Sequence, residues 1–215
     1  MGCKSDRAYI FYFWGCMSQI ELFQHNFFPA DDLLVYHPGF FDVQESAVLL
    51  ESLLSTIQWK QETLFIYGSP VKTPRLTAWY GAEGVSYTYS GRQFFGLPWT
   101  PALLEIKSRI EPVAQTTFNS VLLNYYRDGN DSMGWHSDDE PELGVNPIIA
   151  SVNFGQERRF DLRKINNHQQ KHSVNLANGS LLVMKGDLQH HWQHQVAKSK
   201  KAMSARINLT FRLIA

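Results

Sequence analysis

The sequence contains very little cysteine. Only Cys3 and Cys16 occur among the 215 residues, and both stand near the N-terminus. Two such thiols cannot cross-link the body of the chain, so the sequence excludes a secreted domain framed by disulfides. We expect a domain with a hydrophobic core that works in a reducing compartment, cytoplasmic in a bacterium or nuclear in a eukaryote.

The chain has no excess of charge of either sign. Lys and Arg total 20, and Asp and Glu also total 20. A strongly basic total would indicate a nucleic-acid partner, and its absence argues weakly against one. Binding follows the local field, however, so the basic clusters at 158–164 and 198–201 stay candidate phosphate contacts. Runs of charge are more often solvated faces.

The apolar run AYIFYFWGCM at 8–17 is too short to cross a membrane, because a transmembrane helix needs about 20 residues. We therefore expect no membrane partner. Residues 1–16 are expected to form a disordered or non-native tail, and residues 17–215 a single domain.

Two helices are predicted before most of the strands. The segment 42–57 predicts the first, because Asp42 and Glu45 form a capping box and leucines recur on one face. The segment 100–110 predicts the second, and we expect Pro112 to end it.

Short strands separated by turn residues fill much of the remaining chain. We predict strands at 63–67, 76–80, 85–90, 119–126, 147–154, 158–163, 172–176, 180–185, 189–196 and 205–213. This order indicates a mainly β chain with helices (α+β), built as a sheet sandwich or jelly roll with the helices on one side. The open mouth of such a barrel can hold a small site.

The last predicted strand, ARINLTFRL, alternates between an apolar and a polar face. The polar face carries two arginines and no acid: Arg206, Asn208, Thr210 and Arg212. A solvated outer strand would alternate in the same way. Arginine, however, is suited to binding a carboxylate through two hydrogen bonds. The two arginines lie about 20 Å apart along the strand, so their side chains can lean toward a small anion between them.

The stretch GWHSDDE at 134–140 contains a candidate pair of metal ligands. In extended chain His136 and Asp138 point to the same side, with Cα atoms about 6.6 Å apart. An imidazole and a carboxylate are two of the three ligands in the 2-His-1-carboxylate site of non-haem Fe(II) oxygenases. The pair alone is weak evidence, because most such pairs are surface polar residues.

A third ligand can come from QHHWQHQ at 189–195. If this segment is a strand, His190 and His194 share a face and His191 points away. A histidine-rich stretch can also be merely exposed, so the residues themselves leave the choice open.

Three segments together resemble the AlkB family of Fe(II)/2-oxoglutarate-dependent DNA dealkylating dioxygenases. They are NYYRDGNDSMGWHSDDE (124–140), GSLLVMKGDLQHHWQHQV (179–196) and RINLTFR (206–212). The order H-x-D, a distant His, then R-x-N-x-T-F-R is the signature of that family. His194 precedes Arg206 by twelve residues, as in the members that this chain most resembles. The likeness covers roughly residues 60–215 and is closest to members that act on duplex DNA.

The resemblance implies a double-stranded β-helix (jelly roll) core supported by N-terminal helices. It also implies Fe(II) held by His136, Asp138 and His194. The cosubstrate 2-oxoglutarate would pair its distal carboxylate with Arg206, helped by Asn124 and Tyr126. Arg212 would meet the other end of the cosubstrate, with Asn208 nearby.

The activity that the resemblance implies is direct-reversal DNA repair. A monomer would consume O2, demethylate 1-methyladenine and 3-methylcytosine in alkylated double-stranded DNA, and release formaldehyde. The base must be flipped out of the duplex. The implied substrate contacts are Tyr67, Tyr87, Tyr89, Ser90, Glu140, Arg75 and Arg163. Tyr67 would fill the vacated stack, although such wedges are usually aliphatic or Phe. A plain buried strand explains the segment around Tyr67 equally well.

Other functions fit parts of the pattern. The same iron chemistry can act on RNA or protein. A nucleic-acid-binding module with an idle metal site belongs to a different class, and the complete triad and both arginines argue against it. A cupin-like zinc hydrolase would leave Arg206 and Arg212 without a role.

Overall fold

The computed structural model describes residues 32–66, 69–89 and 92–215. Its helices are α1 (Val43–Thr56), α2 (Pro101–Ala114) and the short α3 (Leu188–His191). Its strands are β1 (Leu34–His37), β2 (Thr63–Ile66), β3 (Ser69–Lys72), β4 (Leu76–Gly81), β5 (Ser86–Tyr89), β6 (Arg92–Phe95), β7 (Leu97–Pro98), β8 (Ser120–Tyr126), β9 (Met133–His136), β10 (Ile149–Gly155), β11 (Arg158–Lys164), β12 (Asn167–Leu176), β13 (Ser180–Met184), β14 (Trp192–Val196) and β15 (Arg206–Arg212).

Most of these strands form two sheets. The larger sheet has the order β1-β13-β10-β15-β8-β4-β7, and the smaller has the order β12-β11-β14-β9. Neighbouring strands are antiparallel in both sheets, except for β4 and β7. Side chains of both sheets line one pocket between them. The predicted mainly β fold with a jelly-roll core is confirmed.

The larger sheet is buried on both faces. Its outer face packs against α1 and α2, through residues such as Leu53 and Ile106 on the helices and Leu209 on β15. Its inner face joins the smaller sheet in a second apolar cluster, which includes Tyr126 and Phe160. The alternation of β15 therefore separates a helix-facing apolar row from a pocket-facing polar row.

The first helix begins where the sequence predicts. The side chain of Asp42 accepts hydrogen bonds from the backbone N–H groups of Gln44 and Glu45, and the Glu45 carboxylate accepts one from the Asp42 N–H. Glu45 also pairs with Arg109 of α2 at 2.9 Å. The capping box therefore fixes the start of α1 and its contact with α2.

The second helix does not end at Pro112 as predicted. It continues to Ala114 and ends with Gln115 in the left-handed conformation, φ 55°. A proline at 112 removes only the hydrogen bond to the carbonyl of Ser108, which lies on the exposed side of the helix. Buried Ala114 holds the last turn against the core, so the prediction was wrong by one turn.

The predicted strand 189–196 is also wrong at its beginning. Residues Leu188–His191 form α3, and the strand begins at Trp192. The helical turn places His190 and His191 on the exposed surface, while His194 is buried in β14. His190 and His194 thus do not share a strand face.

Within the described ranges, no helix is both long and apolar enough to span a membrane.

Candidate active site

The three predicted metal ligands meet at one point in the pocket between the sheets. His136 ends β9, Asp138 follows it by two residues, and His194 lies in β14. Each offers one ligand atom, and these atoms all lie within 4.8 Å of one another. The two ring Nε2 atoms lie 3.9 and 3.8 Å from the carboxylate oxygens of Asp138. Two imidazoles and one carboxylate arranged in this way can hold an octahedral metal on one face.

Backbone geometry orients His136. Its Nδ1 lies 2.9 Å from the carbonyl oxygen of Gly134, so Nδ1 carries the proton and donates it. Nε2 is then the nitrogen with the free lone pair that faces the other two ligands. Such a hydrogen bond fixes the tautomer and the ring plane of a metal ligand.

Burial and charge put the other two ligands in the protonation states that metal binding requires. Burial, with the nearby His136, lowers the pKa of His194 to about 3, so its imidazole is neutral. Burial acts to raise the pKa of Asp138, but opposing effects, of which the charge of Arg212 is the largest, outweigh it, and the pKa falls below its usual value. Neutral imidazole and ionised carboxylate are the forms that bind a metal.

Arg212 holds the carboxylate ligand in place. Its Nη2 donates a short hydrogen bond to Oδ1 of Asp138, and both side chains are buried. The prediction for Arg212 was a contact with the cosubstrate, and it stays a prediction. The contact that the structure shows is an ion pair that orients the carboxylate of Asp138.

A row of three asparagines crosses the larger sheet beside the metal ligands. Asn124 on β8, Asn208 on β15 and Asn153 on β10 are direct cross-strand partners. The amide of Asn208 donates to Oδ1 of Asn153 at 3.2 Å and to Oγ of Ser151 at 2.8 Å. Asn153 and Ser151 were not predicted as site residues, because alternation along β10 gives the face of each residue but not the pairing of β10 with β15.

Arg206 is the charged group deepest in the pocket wall. Its residue is 1% exposed, and its Nη2 donates to Oδ1 of Asn153 at 2.6 Å. Its Nε and Nη1 have no hydrogen-bond partner within the described part of the chain. Burial lowers the pKa of Arg206 to about 10, against an opposing effect of Tyr126, so the guanidinium stays charged. A buried cation with unused donors fits an anion such as the distal carboxylate of 2-oxoglutarate.

Helix α3, which the sequence did not predict, fixes the backbone of the H-x-D segment. The side-chain oxygen of Gln189 accepts a hydrogen bond from the Asp138 N–H at 3.0 Å. Ser137 Oγ donates to the carbonyl of Trp192 at 3.1 Å, one residue past α3. Gln189 itself is buried. The sequence offered no indication of the Gln189–Asp138 contact, because the contact depends on a helical turn in a segment that was predicted to be a strand.

The structure describes three of the predicted substrate contacts with their side chains. Arg75 donates from Nε to Oδ1 of Asn124 at 2.7 Å, and Asn124 is one of the residues predicted to bind the cosubstrate. Arg163 stacks on the ring of Trp135 at 4.3 Å. Glu140 is half-buried directly before a 3-10 turn.

The other four predicted substrate contacts lie wholly or partly outside the described residues. Tyr67 and Ser90 lie outside them entirely. Tyr87 and Tyr89 belong to β5, and their side chains lie outside the described part. The roles of all seven residues stay predictions.

A family model described as the 2OG-Fe(II) oxygenase superfamily matches residues 33–212. The chain belongs to this superfamily. Its cofactors are Fe(II) and 2-oxoglutarate, and the His136–Asp138–His194 site and the charged pocket wall fit both.

Individual relatives place this oxygenase chain near the AlkB proteins. It is 43% identical over 187 residues to alpha-ketoglutarate-dependent dioxygenase alkB homolog 3 of Mus musculus, covering 83% of this chain and 65% of that protein. It is 40% identical over 156 residues to DNA oxidative demethylase ALKBH2 of Bos taurus, covering 69% of this chain and 56% of that protein. The predicted membership of the AlkB family is confirmed. The chain spans less than two thirds of the length of these relatives.

The fold has a solved counterpart. A structure described as "The structure of OsALKBH1" superposes with a TM-score of 0.57 at 16% sequence identity. The match covers 84% of this chain and 97% of that one. At this identity the likeness concerns the fold alone.

Proposed function

We propose that this chain is an Fe(II)- and 2-oxoglutarate-dependent dioxygenase that removes N-linked methyl groups from nucleic-acid bases. The observation that carries this proposal is the joint presence, in one pocket, of the His136–Asp138–His194 ligand set and the buried Arg206 with unused donors. A metal site alone would fit many reactions, whereas a cation placed for a dicarboxylate narrows them to keto-acid chemistry.

Different residues of the chain have different roles in this reaction. His136, Asp138 and His194 would hold Fe(II). Arg206 anchors the distal carboxylate, and Arg212 keeps Asp138 ionised and oriented. Bound iron with 2-oxoglutarate and O2 supplies the oxidation of the N-methyl carbon, with succinate and CO2 as by-products. The hydroxymethyl group then leaves the base as formaldehyde.

The finer proposal is that the substrates are 1-methyladenine and 3-methylcytosine in double-stranded DNA, and that the reaction is DNA repair. Support comes from the relatives, which include a protein named as a DNA oxidative demethylase. A base must leave the duplex to reach a site between two sheets. RNA is the second candidate, since the bases of its single-stranded regions are unstacked and need not leave a duplex to reach such a site.

The test measures formaldehyde and succinate with Fe(II), 2-oxoglutarate and an oligonucleotide that carries one 1-methyladenine. The oligonucleotide is supplied as duplex DNA, as single-stranded DNA and as RNA of the same sequence. We expect the fastest release from duplex DNA, loss of release in His136→Ala, and unchanged release in His190→Ala, which removes an exposed histidine four residues before His194.

Each other result has a defined meaning. Faster release from single strands or RNA would overturn the duplex proposal and keep the demethylase. Succinate formed without formaldehyde on all three oligonucleotides would keep the oxygenase and exclude 1-methyladenine as its substrate. Release that survives in His136→Ala would overturn the metal site.

A further inference from the structure

Arg158 is a buried cation outside the ligand set. The sequence places it in a basic cluster, but in the structure it is 3% exposed. Its Nη1 donates to the carbonyl of Asp128 at 3.1 Å, and its Nη2 donates to the carbonyls of Asp131 at 3.0 Å and Ala197 at 2.8 Å. One guanidinium therefore ties together two separate loops, 127–132 and 197–205, by three carbonyl oxygens.

These two loops flank the strands that carry the metal histidines. Asp131 lies two residues before β9, which ends in His136, and Ala197 directly follows β14, which contains His194. The ladder between β9 and β14 is irregular. It pairs His194 with His136 and Val196 with Met133, with a register shift between the two pairs. The Arg158 bonds to Asp131 and Ala197 lie just beyond the Met133–Val196 pair, at the end of the ladder away from the histidines.

The two loops also touch each other closely. The N–H of Ser199 donates to the carbonyl of Gly129 at 2.8 Å. A Cβ added to Gly129 would lie 2.6 Å from the carbonyl oxygen of Ser199, so a side chain there would force the loops apart. Beside this close contact, the Arg158 guanidinium supplies hydrogen-bond donors to the carbonyls of Asp128, Asp131 and Ala197.

Arg158 also reaches the cosubstrate wall. Its guanidinium lies 5.5 Å from the centre of the Tyr126 ring, and that of Arg206 lies 4.9 Å from the same ring. The ring thus contacts two cations, and the contact of each with an aromatic ring is favourable. A substitution of Arg158 can therefore alter the surroundings of Tyr126 as well as the β9–β14 ladder.

We propose that Arg158 is a positioning residue for the metal centre: by closing the open end of the β9–β14 ladder, its guanidinium fixes the separation of His136 and His194. The inference rests on the metal site of the proposed function but not on the substrate. Removal of the guanidinium leaves three carbonyl oxygens without their donor in a closely packed region, and the cost of such groups drives the loops apart. The strands β9 and β14, which carry His136 and His194, then lose their fixed position relative to each other.

The test compares Arg158→Met with Arg159→Met in the full chain. Methionine keeps an apolar stem and removes the donors. Arg159 is the adjacent residue of β11, with an exposed side chain that pairs with Asp161, so it controls for the loss of one positive charge. Co(II), which stands in for Fe(II) and reports its ligand geometry by its visible absorption, is titrated into the metal-free protein. Amide hydrogen exchange is followed over 131–136 and 195–197 and, as a reference, over α1 and α2.

We expect Co(II) affinity to fall about 10- to 100-fold in Arg158→Met, the usual range for a group that orients metal ligands. The visible spectrum should change, and exchange should accelerate in the two named segments while α1 and α2 stay protected. Arg159→Met should match the wild type in every readout. If Arg158→Met does not fold, Arg158→Lys, which keeps the charge with fewer donors, is expected to show the same changes to a smaller extent.

Three results would overturn the proposal. The first is Co(II) affinity within twofold of wild type in the folded variant. The second is weakened affinity with unchanged exchange over 131–136 and 195–197. The third is accelerated exchange throughout α1 and α2, which would mean a general structural role. A wild-type chain that binds no Co(II) would instead refute the metal site, and the exchange arm would still test the contribution of Arg158.

Discussion

At the scale of single residues, the pocket is defined by charges placed where water is excluded. Arg206 is the clearest case, because a guanidinium at 1% exposure retains two nitrogens without a hydrogen-bond partner in the described chain. Burying an unsatisfied cation is costly in an isolated protein. Binding of a carboxylate would offset this cost, and this is the physical basis for the prediction that Arg206 binds the cosubstrate.

Arg206→Ala should raise the KM for 2-oxoglutarate about 10- to 100-fold, because charge-assisted hydrogen bonds contribute about 1.5–3 kcal/mol and each 1.4 kcal/mol is tenfold. The measurement is succinate or CO2 release as a function of keto-acid concentration. The comparison compound is 2-oxobutyrate, which lacks the distal carboxylate. The wild type should strongly prefer 2-oxoglutarate, and the variant should lose most of that preference. Equal weakening toward both keto acids would mean that Arg206 contacts something other than the distal carboxylate.

At the scale of elements, local signals in the sequence predicted helix α1 well and the segment before His194 poorly. The capping box of α1 involves residues three positions apart, so the sequence contains the whole motif. The turn of α3 depends on distant contacts, including Gln189 with Asp138 and Ser137 with the carbonyl of Trp192. Its residues carry no helical apolar period, and alternation alone favoured a strand.

Asp42→Ala should destabilise the chain by about 1 kcal/mol, because it removes the acceptor for two N–H groups at the start of α1. The measurement is the free energy of unfolding from urea denaturation. Glu51→Ala, an exposed change within the same helix, serves as the control and should stay within about 0.5 kcal/mol of wild type. An equal loss in both variants would show that the effect comes from helix charge rather than from the cap.

The same distinction between local and distant contacts applies to the site. The alternation of β15 and the spacing of His136 and Asp138 are visible in the sequence, and the structure places both on the pocket. The asparagine row and the Arg212–Asp138 ion pair need the pairing of strands far apart in the chain. Sequence periodicity gives the face of a strand but not its neighbours.

At the scale of the whole molecule, the metal site and the cosubstrate wall belong to different sheets. His136 and His194 lie on the smaller sheet, whereas Asn124, Arg206 and Arg212 lie on the larger one. A metal would be bound by the histidines of the smaller sheet. A keto acid bound to both this metal and Arg206 of the larger sheet would link the two sheets across the pocket. Ligand binding should therefore stabilise the fold as a whole.

Mn(II) and 2-oxoglutarate together should raise the melting temperature more than the sum of their separate effects. At 100 times the dissociation constant a ligand adds about 2.7 kcal/mol, which for a chain of this size is about 5–10 °C. The measurement is thermal unfolding by circular dichroism, with each ligand alone and with both. The joint effect should disappear in His136→Ala. Strictly additive shifts in the wild type would contradict the linkage between the sheets.

The two-faced burial of β15 limits the kinds of change that this chain can accept. Its side chains alternate between the helix-facing core, through Ile207, Leu209 and Phe211, and the pocket, through Arg206, Asn208, Thr210 and Arg212. Adding or removing one residue within the strand would exchange the two rows for every position beyond the change. Arginine would then enter an apolar core, and leucine would enter the cosubstrate pocket. Related sequences should therefore vary in residue type along this strand but keep its length, and insertions should accumulate in the loops that precede it.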